Sequence, residues 1–596
     1  MTLLTEPALH ATGLLRDFNH AGVLTLADVH TAQRVSQLAG EPDETVHLAI
    51  ALTVRALRMG SICIDLCQVN RTTSADEDLD ISTLPWPDIT AWQAACARSP
   101  AVAAAGESGR PLRLARGLLY LDRYWRQEEL VRCQLHQRAA ARPPTDPARL
   151  RTDLDRLFTA GDRKQRLAAA VSALRWVCVL AGGPGTGKTT TVARLLAVLA
   201  AQPGGPPRIA LAAPTGKAAA RLEEAVREVT RSLPPADRTR LGDLRASTLH
   251  RLLGRQPGSR TRFRHNRSHH LPYDVIVVDE TSMVSLTLMA RLIEAVRPDA
   301  RLILVGDPDQ LASVEAGAVL GDIVAADGLP EPLLHADLRD VGEAATVTNG
   351  VVTLDRTWRF GGDIAALAAA VRCGDADTVV DLLRSGGEQL EFVESPATQC
   401  AELRTEVRTV LQAVTDAAEE GDAETALRGL EAHRLLCAHR RGPYGVTHWT
   451  AQTARWLTVP DLTEWVPGLP LLITANDYDA GLYNGDTGVV IRTPDGLRAA
   501  FARGGDIAFI APSRLSEAQP LYAMTVHRSQ GSQFDRVSLV LPPATSPLLT
   551  RELFYTAVTR ARTGLRILGT EEAVRAAVTR PIARASGLRE SLALSA

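Results

Sequence analysis

The sequence predicts an α/β protein of two parallel-sheet lobes behind a mostly helical N-terminal domain, and three observations carry that prediction. Short apolar runs, Val177 to Ala181, Ile209 to Ala213, Val275 to Val278 and Leu302 to Val305, alternate with helical segments, the pattern of a parallel sheet with crossover helices. Gly182-Gly183-Pro184-Gly185-Thr186-Gly187-Lys188-Thr189 fits GxxxxGK[ST] and stands directly between the first of these runs and the helical Val192 to Leu199. Further strand-like runs, Val537 to Leu541 and Leu565 to Leu568, call for a second lobe of the same kind.

In chain order, residues 1–145 read as the helical domain, with apolar spacing in Val46 to Leu66 and Leu118 to Leu135 and no phosphate-binding pattern. The Pro- and Ala-rich Ala139 to Pro147 reads as a linker. The first lobe is expected over 150–345, with a basic insert at about 232–272, and Ala325 to Val352 reads as a loop. The second lobe spans 350–596 and holds a β insert at about 470–520, where strand-like alternation flanks the turn Pro494-Asp495-Gly496.

Composition narrows the function classes. With 596 residues, 45% hydrophobic, 22% charged and a net charge of −2, the chain is an ordinary globular protein, and any nucleic-acid contact must come from local patches. No apolar run approaches a membrane span, and Met1 to Asp17 has no basic-then-apolar leader. The eight cysteines form no CxxC pair, which fits a reducing cytoplasm; Cys63 and Cys67 read as core. Only three lysines stand beside 63 arginines, and two of them, Lys188 and Lys217, follow glycine directly.

The chemistry starts at the glycine-rich loop. Its glycines let backbone N–H groups turn toward phosphates, Lys188 adds a compact charge, and the Thr189 hydroxyl suits Mg²⁺. Gly182 to Thr189 and the following Thr190 are therefore the candidate ATP contacts. The buried run Val275 to Val278 ends in Asp279 and Glu280, a carboxylate pair in which Asp279 can hold Mg²⁺ through water and Glu280 can activate the attacking water. Gln310, in Gly306-Asp307-Pro308-Asp309-Gln310, can sense the γ-phosphate.

These motifs, with Pro214 to Ala219, Thr525 to Gly531 and Tyr555 to Ala561, resemble superfamily 1 DNA helicases in order and spacing. Thr248 to Gly254 and Val314 to Asp322 resemble the RecD branch, the alpha subunits of exodeoxyribonuclease V. Arg58 to Leu66 and Leu118 to Trp125 are similar to that branch's partner-binding domain. The resemblance implies two RecA-like lobes, an SH3-like β insert, ATP and Mg²⁺ as cofactors, and 5′ to 3′ movement on single-stranded DNA at duplex ends. RecB-like and RecC-like subunits are the implied partners, and processing of double-strand breaks is the implied role. It also implies that Gln165 reads adenine, that Arg359 and Arg560 reach the γ-phosphate, and that Thr215, Gly216, Lys217, His250, Thr525 and His527 line the DNA groove. A stand-alone helicase and a non-motor ATP-binding subunit stay open at this point. So does the role of Arg255 to His270, a solvated basic loop or a DNA-contacting insert.

Overall fold

The computed structural model describes residues 7–72, 83–104, 106–256, 262–328, 331–356, 362–394, 400–459, 461–462, 464–477, 480–503 and 506–593. The first lobe is built on a six-stranded parallel sheet in the order Val351–Leu354, Val177–Gly182, Arg301–Gly306, Val275–Val278, Ile209–Ala213, Ala246–Thr248. Every residue of Val275–Val278 is buried, as an apolar strand inside a doubly covered sheet must be. All four apolar runs of this lobe are strands. The two edge strands are additions. Ala246–Thr248 lies inside the stretch read as a basic insert, and Val351–Leu354 lies at the end of the stretch read as a loop, on the far side of the division at 350. That stretch also holds the helix Pro332–Asp340.

The second lobe has a five-stranded parallel sheet in the order Leu390–Val393, Ala561–Leu568, Phe534–Val540, His433–Cys437, Ala523–Thr525. Between His433–Cys437 and Ala523–Thr525 the chain forms a separate five-stranded antiparallel sheet of Asp506–Ile510, Gly496–Arg503, Thr487–Thr493, Pro470–Ile473 and Ala518–Pro520. Its hairpin turns at Pro494-Asp495, with Thr493 opposite Gly496, where Gly496 takes φ +106°.

The N-terminal region is helical but not wholly so. Helices Leu26–Ala39, Glu44–Arg58 and Asp122–Ala139 accompany a four-stranded sheet that contains Cys63–Asp65, Leu118–Leu121 and Leu112–Ala115. The apolar stretch 118–135 is therefore a strand and then a helix. Its first part is set by the two-residue turn Arg116-Gly117, both left-handed (φ 52° and 77°), which folds Leu118–Leu121 back on Leu112–Ala115. Cys63 is buried in the strand Cys63–Asp65, opposite Tyr120, whereas Cys67 is exposed and leaves the core.

This region does not stand apart from the motor lobes. Arg138, buried at the end of its last helix, donates to the carbonyls of Ala300 (3.1 Å), Val296 (2.9 Å) and Arg297 (3.0 Å). After the last helix of the second lobe, Glu571–Thr579, the chain crosses back as a strap. There Ile62 N donates to Ala585 O (3.0 Å), Ala585 N to Ser61 Oγ (3.0 Å) and Gly587 N to Glu128 Oε2 (3.1 Å). Leu588 and Leu592 complete a core shared with Ile62, Tyr120, Leu320 and Ile323. Among the described residues no helix is long and apolar enough to cross a membrane.

The strap seam holds two acids. Burial raises Glu128 against the Tyr120 hydroxyl and Ser586, and burial with the nearby Glu128 charge pushes Asp322 up to about 7 despite Ser586, Arg589 and Arg584. A folded value above the ordinary 3.8 means that Asp322 contributes its stability in full at pH below 3.8 and loses it as pH rises toward about 7. Asp322→Asn is therefore expected to flatten this decline and to raise the melting temperature at pH 8 by about 2–4 °C. Thermal melts between pH 5 and pH 8 check it, and parallel profiles for variant and wild type would refute it.

Candidate functional site

The glycine-rich loop joins strand Val177–Gly182 to helix Lys188–Ala201, and its turn needs left-handed glycines at Gly185 (φ 75°) and Gly187 (φ 84°). Thr186 Oγ1 donates to Gly183 O (2.8 Å), and Lys188 Nζ donates to Gly182 O (2.6 Å) and Gly183 O (2.9 Å). The ammonium is thus held against the loop. A Cβ on Gly183 would lie 2.9 Å from the Tyr555 hydroxyl, so the second lobe closes over the loop at this residue and a larger one would have to displace the tyrosine.

Asp279 leaves the end of the central strand half-buried. Burial and the adjacent Glu280 charge raise its carboxyl, and Lys188 opposes them. Glu280 adopts a left-handed backbone (φ 50°, ψ 41°) and its N–H donates to Asp279 Oδ1 (2.8 Å). A non-glycine residue there costs about 1 kcal/mol or more, the kind of strain that functional sites retain. At the end of the next strand Asp307 is pushed up to about 6 by burial, again opposed by Lys188, and accepts from Gln310 Nε2 (2.7 Å). One lysine therefore faces two carboxylates, the buried Asp307 and the half-buried Asp279.

The second lobe supplies Arg560, which is buried and donates to Thr556 O (3.0 Å), Ser532 O (3.0 Å) and Thr559 Oγ1 (3.2 Å). These bonds fix the guanidinium, whose charge is sustained by Glu280, Asp307 and Tyr555 against the cost of burial. The lobes are joined beside it: Leu311 N donates to Thr556 Oγ1 (2.9 Å) and Gln530 Nε2 donates to Leu311 O (2.7 Å). Arg359 lies outside the described residues.

Next to the loop is a cavity of about 150 Å³ lined by Gly161, Gln165, Thr186, Leu354 and Arg356 among others. Gln165 is buried, and its Oε1 has no hydrogen-bond partner among the described residues. An orphaned acceptor there suits an exocyclic amine, and the strand Val351–Leu354 that walls the cavity is one the sequence reading missed. Gln310 Oε1 is a second buried acceptor without a partner. The lysine, the twin left-handed glycines and the half-buried Thr189 and Asp279 fit a nucleotide triphosphate with Mg²⁺.

The residues assigned to the groove follow the C-terminal ends of other strands of the two parallel sheets, Thr215 after Ile209–Ala213 and Thr525 at the end of Ala523–Thr525. Thr215 caps helix Gly216–Ser232, its Oγ1 accepting from Ala218 N (3.2 Å), and Thr525 Oγ1 accepts in the same way from Arg528 N (3.3 Å). Each hydroxyl keeps its proton for an outside acceptor. Gly216 lies under Tyr483 of the β insert, where a Cβ would come within 2.5 Å of the tyrosine. Lys217 is pushed down to about 7 by burial and by Arg221 and Arg434, with Asp486 and Glu431 opposing. His250 and His527 are both lowered, mainly by burial, so both rings are neutral at pH 7. The basic segment folds into small pairings, Arg255 with Phe263 and Asn266 with His269, and the rings of His265 and His269 stack at 4.9 Å. Arg260 lies outside the described residues.

Several residues at this interface escaped the sequence reading. Tyr555 lies beside Asp307, whose charge acts on its hydroxyl, and Arg221 donates to Gly531 O across the lobes. Both stand within or beside recognised motifs, but only a contact distant in sequence gives them their place.

Comparison with known proteins follows the same division. The family model for the N-terminal domain of RecBCD enzyme subunit RecD matches residues 20–120, an AAA domain model matches 165–316, and a UvrD-like helicase C-terminal domain model matches 520–568. The RecBCD enzyme subunit RecD of Mycolicibacterium smegmatis is 53% identical over 583 residues, covering 96% of this chain and 98% of its own length. That of Haemophilus influenzae is 32% identical, with 81% of each chain covered. The ATP-dependent RecD2 DNA helicase of Deinococcus radiodurans is 34% identical over 64% of this chain and 46% of its own. A solved Pif1 helicase from Bacteroides, in complex with ADP-AlF3 and ssDNA, is 16% identical over 66% of this chain and 88% of its own, with a TM-score of 0.34. By its near full-length identity to these subunits, the chain belongs to the RecD family.

Proposed function

We propose that this chain is the ATP-driven 5′ to 3′ DNA helicase subunit of a RecBCD-like enzyme that processes double-strand ends for recombination repair. RecB-like and RecC-like chains are its partners, and the N-terminal region is the surface that meets them. The observation that carries the reading is the continuity of one interlobe seam. Tyr555 and Arg560 face the phosphate loop and Glu280, while Gln530 and Gly531, a few residues from Thr525 and His527, contact Leu311 and Arg221.

In this reading the backbone of Gly182 to Gly187, Lys188, Thr189 and Thr190 hold the phosphates, and Gln165 reads the base. Thr189 and Asp279 hold Mg²⁺, which when bound adds positive charge against the phosphoryl oxygens. Glu280 orients the attacking water and accepts its proton. Lys188 and Arg560 neutralise charge at the transferred group from opposite lobes, with Arg359 assigned the same task by family resemblance, and Gln310 reports the γ-phosphate to Leu311 and the second lobe. Closure therefore joins the lobes through Leu311, Thr556 and Gln530, and opening after hydrolysis releases that bridge. Alternating grip by Thr215, Gly216, Lys217 and His250 on one lobe and Thr525 and His527 on the other moves the strand.

Stopped-flow translocation of the full chain on single strands carrying a dye at one end tests the direction. A lag that lengthens with strand length at the 3′ dye is expected; the same lag at the 5′ dye, or none at either, overturns the proposal. His527→Ala should weaken single-strand binding while leaving DNA-free hydrolysis intact. Because its ring is neutral, the salt dependence of binding should keep its slope. Thr215→Asn, which preserves a helix cap, should weaken binding likewise. Titrations across a salt series check both, and unchanged affinity removes these residues from the groove.

A further inference from the structure

The chain passes from the first lobe to the second after strand Val351–Leu354 and returns through the strap, and the return is short. On the second lobe, Arg580 O accepts from Arg551 N (2.8 Å), the Arg580 guanidinium donates to Ser546 O (2.8 Å) and Ala544 O (3.1 Å), and Ile582 N donates to Glu552 Oε2 (2.8 Å). Three residues later Ala585 is bonded to Ser61 and Ile62 of the N-terminal region, which Arg138 fixes to the first lobe. A chain of three residues reaches about 10 Å when fully extended, so the lobes cannot part at this edge without breaking one set of bonds or the other.

Arg584 stands at the crossing. Its Nη1 donates to the carbonyls of Glu315 (3.5 Å) and Gly317 (3.3 Å) in the first lobe, and a Cβ on Gly60 would lie 3.0 Å from its Cζ. Gly317 N donates in turn to Gly60 O (3.0 Å), so strap, N-terminal region and first lobe meet at one guanidinium. The side chain is half-buried; burial lowers it from the ordinary arginine range, and Glu552 of the second lobe and Asp322 of the first oppose that. The carbonyls it holds end the segment Leu311 to Gly317, whose other end carries the interlobe bridge from Leu311 to Thr556 and Gln530. One end of the segment thus follows directly on Gln310, the residue read as sensing the γ-phosphate, and the other is pinned.

We infer that Arg584 is a positioning residue for the motor: it pins the far end of this segment to the strap, so that the lobes rotate about that edge when the Leu311 bridge breaks and re-forms. The inference rests on the reading of the chain as an ATP-driven DNA motor. Without the pin, hydrolysis opens the seam in no fixed direction, and part of the cycles are lost as slippage on the strand.

The quantity that tests it is ATP hydrolysed per nucleotide travelled by the full chain on saturating oligothymidylate, measured as phosphate released per motor arriving at a dye-bearing end and divided by strand length. This ratio does not depend on the fraction of chains that are active, so a variant that is only less stable leaves it unchanged. Arg584→Ala should raise it about threefold or more, and Arg584→Lys, which can still donate to the two carbonyls, should restore it. Inserting Gly-Ser-Gly-Ser after the exposed Ala583 adds about 13 Å of reach with Arg584 intact and should raise the ratio likewise. A wild-type ratio in Arg584→Ala or in the insertion overturns the pin alone, and a wild-type chain that hydrolyses ATP without travelling overturns the motor reading together with it.

Discussion

Lys188→Ala lowers DNA-stimulated ATP hydrolysis by about 10²-fold or more while the chain stays folded. The ammonium is held against the loop carbonyls of Gly182 and Gly183, whereas Lys164, which also lines the adjacent cavity, pairs with Asp355 (3.8 Å). Lys188 also opposes the raised values of Asp279 and Asp307, so its loss leaves both carboxylates without a compensating charge. Those acids respond by taking up protons rather than by unfolding the lobe, because their strands are held by the apolar residues of Val275–Val278 and Arg301–Gly306. Steady-state hydrolysis and a thermal melt of the same preparation check both halves. Turnover near wild type refutes the assignment of the loop.

Glu280→Gln is expected to keep nucleotide binding and to lose turnover by about 10²- to 10⁴-fold, since the amide preserves size and hydrogen bonding but accepts no proton. The left-handed backbone at this position is independent of the side-chain charge, so the geometry should persist. Binding of a fluorescent ATP analogue against single-turnover hydrolysis separates the two effects. Loss of binding equal to that of Lys188→Ala would contradict the division of roles.

Much of this site was legible because its signals are local. A phosphate loop must lie between a strand and a helix, and the six residues before Lys188 and the four before Asp279 announce that context unaided. The hairpin at Pro494-Asp495 was visible for the same reason. Edge strands were not: Ala246–Thr248 is three residues long and Val351–Leu354 four, too short for periodicity to distinguish from loop. The strand Leu118–Leu121 was absorbed into the helix after it, because its apolar residues also fit a helical spacing and only the turn at Arg116-Gly117 decides otherwise. Tyr555 on Gly183, and the strap that seats Leu588 and Leu592 against Ile62, join residues hundreds of positions apart. The strap alters the sequence-based expectation most, since the linker at Ala139 to Pro147 suggested a separate N-terminal domain. Deleting that domain would uncover the core that Leu588 closes.

The central claim is that nucleotide chemistry and strand binding share one seam between the lobes. Hydrolysis by the full chain, measured in Mg²⁺ against increasing single-stranded DNA, addresses it most directly. The account predicts stimulation that saturates with DNA and is lost in Arg560→Ala, whose guanidinium donates to Ser532 O, next to the Thr525 to Gly531 segment, and interacts with Glu280 and Asp307. Hydrolysis indifferent to DNA in the wild-type chain, or DNA-stimulated hydrolysis undiminished in Arg560→Ala, would contradict it.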